Sequence, residues 1–264
     1  MSEQEAAPFA WNDTPTRLRK ALKEDEFALF CQPILALRDG GGFAMAEVLV
    51  RLREEEKAML PPGDFLPIFE EHQMLPLLDR WVLVRLQQRI AEGCRVPRLL
   101  MNVSGQTLLD IDFPAFFAES VKRAKIAPAT VVFEINESDL VGRPQAVKRF
   151  AESISASGGG LAVSGFGRRL DSFEALETLR PDFVKVDGSI ILKITKSITS
   201  EGMLKAVLRI GASLRIGVIA ECVEEQDVLL RLSGLGVGYA QGFGVATPRP
   251  LDHLSPRFKA ADAA

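Results

Sequence analysis

Histidine occurs only twice in this 264-residue chain, at His72 and His253, and tyrosine only once. A histidine-rich zinc site is therefore excluded. Cysteine is scarce too: Cys31, Cys94 and Cys222 are widely spaced and odd in number, which fits reduced thiols rather than a disulfide framework. No apolar run reaches the roughly 18–20 residues that a membrane span needs. The opening Met-Ser-Glu-Gln-Glu has no basic region followed by an apolar core, so no signal peptide is expected. An excess of basic charge is also missing. The formal net charge is -3, which argues against a general nucleic-acid surface, so DNA is not an expected partner. A small anionic ligand held by a few local Arg and Lys residues stays compatible with that balance. What is abundant is apolar sequence, at 47% of residues, enough for one large core. The expectation is a cytoplasmic protein.

The stretch Ala46–Leu52 (Ala-Glu-Val-Leu-Val-Arg-Leu) reads as a buried strand, yet it carries Glu47 and Arg51. Burying these charges is costly without partners. Two readings are open: an ion pair between Glu47 and Arg51, or a site. Around this stretch the chain divides into an arm with a short helix (1–25), a barrel-sized domain (26–252) and a polar tail (253–264). Phe27–Leu37 and Phe43–Leu52 read as a hairpin joined by the glycine-rich turn at 39–42. Helical spacing runs from Phe65 through Leu78, Trp81 and Leu86 to Ile90. Strands are then expected at Leu99–Val103, Thr130–Ile135, Leu161–Val163, Phe183–Val186, Gly217–Ala220 and Gly236–Ala240. Helices are expected between them, including Phe113–Ala124, Arg143–Ala156, Ser172–Leu179, Ser200–Ser213 and Glu225–Leu235.

Strands alternating with helices imply parallel strands with helical crossovers. About eight strands in this length fit a closed α/β barrel of the (β/α)8, TIM-like type, with a doubly wound open sheet as the alternative. In such barrels the C-terminal strand ends carry the site. Asn102, Glu134, Ser164, Lys185, Glu221 and Gln241 all fall at or near those ends. Glu47, Asn102 and Glu134 are oxygen donors of the kind that hard divalent cations take. Lys185 beside them could stabilise an oxyanion or activate water. That set points toward metal-assisted phosphodiester hydrolysis.

The order of motifs over Phe27 to Pro250 resembles the EAL domain family, which hydrolyses the bacterial second messenger cyclic di-GMP. The matching segments are Gln32-Pro33, Glu47-Val48-Leu49 with Arg51, Asn102-Val103-Ser104, Glu134-Ile135-Asn136-Glu137, Lys185-Val186-Asp187, Ala220-Glu221-Cys222-Val223-Glu224, Gln241-Gly242-Phe243 and Pro248. The resemblance implies a (β/α)8 barrel whose first strand runs antiparallel. It also implies a ligand set of Gln32, Leu49, Arg51, Asn102, Lys185, Asp187, Glu221, Gln241 and Pro248. Glu47, Asn102 and Glu134 would be metal ligands, and Lys185, Glu221 and Glu137 would be remnants of the catalytic apparatus.

The chain departs from the family where two aspartates should stand. Ser164-Gly165-Phe166-Gly167 replaces Asp-Asp-Phe-Gly, Asn136 replaces Thr, Cys222 replaces Gly, and Gly167 to Ser172 has drifted. In active members those aspartates serve a two-metal site, and such a site needs bridging carboxylates. Serine is a weak neutral ligand and glycine has no side chain. One weakly held magnesium or manganese ion is the most that Glu47, Asn102 and Glu134 are expected to keep, and none is required for binding. Hydrolysis is expected to be absent or very slow. The expected function is a cyclic di-GMP receptor that signals to an unidentified protein partner. The alternatives are an interaction protein that needs no ligand and a phosphodiesterase with residual metal-dependent activity. Arg168-Arg169 reads as a solvated pair or as part of a protein-contact surface. Homodimer formation is left open, because the drifted loop belongs to the family's dimer contact. Cys222 is expected to pack behind Glu221.

Overall fold

The computed structural model describes residues 14–38, 42–53, 59–94 and 96–251. The turn expected at 39–42 lies mostly outside the described residues, as do the tail at 253–264 and the arm before residue 14. The helix Thr14–Lys23 is anchored by Leu18 and Ala21, both fully buried.

The described strands are β1 (Phe27–Ala36), β2 (Gly42–Arg53), β3 (Met59–Leu60), β4 (Leu99–Asn102), β5 (Val131–Asn136), β6 (Gly160–Phe166), β7 (Phe183–Val186), β8 (Gly217–Ala220), β9 (Tyr239–Ala240) and β10 (Arg249–Pro250). From β2 through β4, β5, β6, β7 and β8 to β9 they pair in parallel, and β1 closes the ring by pairing antiparallel with both β2 and β9. The result is a closed barrel of eight strands with an antiparallel first strand. β3 and β10 are two-residue additions at its rim.

Strand sequences such as Val-Val-Phe-Glu-Ile-Asn and Gly-Leu-Ala-Val-Ser-Gly-Phe are buried along almost their whole length. A parallel barrel covers both faces of each strand, which explains the near-continuous apolar runs. The outward face meets the helices. Phe133 on β5 packs edge-on against Phe117 at 5.0 Å and Phe150 at 5.7 Å, from the helices Phe113–Ala124 and Pro144–Ala156.

The inward face is layered. Ile34, Met45, Leu100, Val132, Ala162, Phe183 and Ile219 form one apolar floor, with Tyr239 packed against it. Side chains alternate faces along a strand, so the next inward residue lies two positions on. That step reaches Glu47, Asn102, Glu134, Ser164, Lys185, Glu221 and Gln241, and Gln32 on the antiparallel β1. The floor is wholly apolar and the layer above it is wholly polar.

Several boundaries differ from expectation. The long helical run breaks into Pro62–Glu71 and Leu75–Ala91, with Gln73 in the left-handed region (φ 54°) between them. β6 continues through Ser164 and Gly165 to Phe166, with its register to β7 shifting across that stretch. Three short helices start at the mouth: Gly105–Leu109, Glu137–Gly142 and Gly188–Ile191. Each is capped by a polar residue at or just after the end of a strand, namely Ser104, Asn136 and Asp187, whose side chains accept a backbone N–H.

Candidate functional site

The polar layer is organised around one ammonium. Lys185, fully buried on β7, donates to Glu47 Oε2 at 2.8 Å and to both carboxylate oxygens of Glu134 at 2.9 and 3.0 Å. It also lies 3.1 Å from Glu221. Glu47 accepts further bonds from Asn102 Nδ2 at 2.8 Å and Gln241 Nε2 at 2.7 Å. Gln241 Nε2 also donates to Gln32 Oε1 at 3.0 Å, and Gln32 Nε2 donates to the Ala246 carbonyl at 3.1 Å. The strands β1, β2, β4, β5, β7, β8 and β9 are thus tied through one network.

Burial would lower the Lys185 pKa, but the charges of Glu134, Glu47 and Glu221 outweigh it and raise it well above the ordinary lysine value. For Glu47, burial pushes upward, and the charge and hydrogen bonds of Lys185, with those of Gln241 and Asn102, bring the net result below the usual range. Glu134 is pushed up to about 8, chiefly by burial, with the charge of Glu47 adding to it and Lys185 opposing. One ammonium faces three carboxylates, and burial together with the charges of Glu47 and Glu221 favours the protonated form of Glu134.

Beside this network two hollows open. One, of about 250 Å³, is lined by Gln32, Glu47, Glu221, Cys222, Gln241 and Phe243. The other, of about 360 Å³, lies between β2 and its covering helices and is lined by Leu49, Leu66, Leu78, Asp79 and Asn102. Gln241 Oε1 is buried without a hydrogen-bond partner.

The chain matches the model of the EAL domain over residues 16–248. The chain belongs to the EAL domain family. Cyclic di-GMP phosphodiesterase PdeF of Escherichia coli (strain K12) is 26% identical to it over 238 residues, which cover 89% of this chain and 32% of that protein. The chain therefore spans about a third of the length of such curated relatives. The FimX EAL domain from Pseudomonas aeruginosa bound to cyclic di-GMP superposes with a TM-score of 0.86 at 27% identity, covering 94% of this chain and all of that one. The FimX EAL domain of Xanthomonas citri in complex with the same ligand gives 0.85 at 26% identity, covering 93% and 96% of the two chains.

Within this EAL domain the residues expected at the site are distributed as follows. Gln32, Glu47, Asn102, Glu134, Lys185, Glu221 and Gln241 converge. Leu49 lines the larger hollow. Arg51 makes no ion pair with Glu47: its Nη1 donates to the Val50 carbonyl at 2.9 Å, and its guanidinium lies 5.5 Å from the Phe30 ring centroid. Pro248 directly precedes β10, which pairs with β1 at Phe30 and Cys31. Glu137 is not with the others. Its buried Oε1 accepts from Gly167 N at 2.9 Å and Ser172 Oγ at 2.6 Å, so it pins the loop between them. Cys222 is exposed at the rim, contrary to its expected packing behind Glu221. It holds a left-handed backbone (φ 55°), and a Cβ on Gly188 would come within 2.5 Å of its sulfur, so the two residues are sized to each other.

The donor set does not fit a pair of dications. Glu47 and Glu134 already face an ammonium, Ser164 is neutral, and Gly165 brings nothing. Asp187 is paired with Arg168, whose Nε lies 3.3 Å from Asp187 Oδ2. Among the described residues, no three His, Cys, Asp or Glu side chains are grouped to hold a metal ion. Among them, too, no helix is long and apolar enough to cross a membrane.

Proposed function

We propose that this EAL domain binds cyclic di-GMP at the barrel mouth, needs no metal to do so, and hydrolyses it very slowly or not at all. The observation that carries this reading is the Lys185 hub. A lysine ammonium within 3.1 Å of three carboxylates offsets from inside part of the negative charge that would otherwise call for metal ions or repel an anionic ligand. Gln32, Gln241 and Asn102 complete a preorganised polar layer, and Leu49 and Phe243 border the hollows on either side. The FimX EAL domains of similar fold carry cyclic di-GMP, which supports the same ligand here. At most one magnesium or manganese ion would be held, weakly, by Glu47, Asn102 and Glu134. In this reading the protein works in the cytoplasm and passes the bound state to a protein partner.

A second reading, protein contact without ligand, is favoured by Leu170, 90% exposed on the loop that Glu137 pins. The test is equilibrium dialysis with cyclic di-GMP in magnesium buffer, followed by chromatography of the recovered nucleotide. Retained, intact cyclic ligand is the expected result. Conversion to a linear dinucleotide at enzyme-like rates would overturn the receptor reading, and absence of any retention would favour the second one.

A further inference from the structure

On the β6 side of the mouth a side chain has been replaced by space, and a cation stands over that space. Gly165 is in the left-handed region (φ 63°), and a Cβ built on it would lie 3.3 Å from a terminal guanidinium nitrogen of Arg168. The same Cβ would lie 3.5 Å from Asn136 Nδ2 and 3.7 Å from Asp187 Oδ2. Arg168 is held there through Nε, 3.3 Å from Asp187 Oδ2, while Asp187 Oδ1 accepts from Ser189 N at 2.9 Å. The guanidinium therefore lies over the residue whose carboxylate is missing, beside the carboxylate that is left.

Two further observations point the same way. The loop carrying Arg168 is anchored on both sides by the buried Glu137, through Gly167 N at 2.9 Å and Ser172 Oγ at 2.6 Å. Anchoring of that kind lowers the ordering cost of binding. Its neighbour behaves differently. Arg169 is engaged by Asp171 through two hydrogen bonds, at 3.0 and 2.8 Å, on the solvent side. Arg168 is paired with Asp187 through Nε, and its side chain is 53% exposed, so a ligand entering the mouth can reach it. A guanidinium has five N–H donors in a planar fork that matches phosphate oxygens.

We propose that Arg168 is the built-in cation of this site: its guanidinium stands in for a second dication and takes a phosphate oxygen of the bound cyclic dinucleotide, and Gly165 is the residue that leaves it room. This rests on the receptor reading. It adds a ligand-binding residue that neither the motif matches nor the hub reveals. It also links two departures from the family pattern, since a side chain at 165 would crowd the guanidinium.

The test is calorimetric titration of the full chain with cyclic di-GMP in EDTA, for the wild type and for Arg168→Ala, Arg168→Gln and Arg169→Gln. Arg168→Gln keeps most of the side-chain volume, so it answers the question even if the alanine variant folds poorly. Both Arg168 variants are expected to lose about 10- to 100-fold in affinity, the scale of a hydrogen bond to a charged group. Arg169→Gln removes the same charge and is expected to bind like the wild type. Wild-type affinity in Arg168→Gln would overturn the inference and leave the receptor reading standing. Equal losses in Arg168→Gln and Arg169→Gln would overturn it too, since net charge rather than position would then be responsible. Absence of binding by the wild type would overturn the receptor reading, and this inference with it.

Discussion

The two sides of the barrel mouth satisfy their polar atoms in different ways. On the side of β2, β5, β7 and β8, carboxylates from distant parts of the chain converge on the buried Lys185, and each partner is needed by the others. On the side of β6, Ser164 and Gly165 carry little polar chemistry, and the compensating charge comes from Arg168 in the loop beyond. The first side is bound to the fold, because removing one member strands buried charge. On the second the charged partner, Arg168, is half exposed and can be replaced at small cost to stability. Chemistry that is also structure is thus separated from chemistry that is not, within one layer of one barrel.

The sharpest break of this contrast is Lys185→Met. It removes the counter-charge of the buried Glu134 and of the partly buried Glu47 and Glu221, and about 3–5 kcal/mol of stability should go with it. Urea unfolding measures it, and a loss near zero would mean that the hub is not structural. Glu137→Gln comes next. It weakens the pins at Gly167 and Ser172, with an expected loss of about 1–3 kcal/mol. Hydrogen exchange should speed up at 167–172 and not at the floor residues Leu100 and Ile219; a uniform change would contradict the assignment of Glu137 to that loop.

Restoring aspartate at both Ser164 and Gly165 tests the rewritten side. The left-handed backbone at Gly165 makes any side chain there strained, by roughly 1 kcal/mol. With Arg168 in place, magnesium should not raise the melting temperature of this double variant; with Arg168→Ala added, it should. A magnesium response in the presence of Arg168 would show that the guanidinium does not hold the corner. The smallest effect is expected for Arg169→Ala, an exposed pair with Asp171, where thermal melting should show no change.

Much of the barrel was legible because its strands are apolar runs between helical stretches. Phe113–Ala124, Ser172–Leu179, Phe183–Val186 and Gly217–Ala220 have the same bounds in sequence and structure. The polar strand ends were legible as well, since a lysine or glutamate inside such a run stands out. Four kinds of feature were not. The short helices at the mouth begin on Ser104, Asn136 and Asp187, residues whose capping role is hidden when they are read only as site residues. The break at Gln73 has no turn-forming residue to announce it. The partners of Lys185 and Arg168 are long-range: Lys185 and Glu47 are 138 positions apart, and nothing local tells a solvated arginine from one held over a vacant glycine. Glu137 sits within a site motif, and only the fold shows that its carboxylate turns toward the loop.

The central claim is that this mouth carries its own cations. Calorimetry with cyclic di-GMP, run once in EDTA and once in magnesium, measures that claim most directly. The account predicts the same affinity in both buffers, with the cyclic ligand recovered intact. Binding seen only in magnesium, followed by a linear dinucleotide, would contradict it.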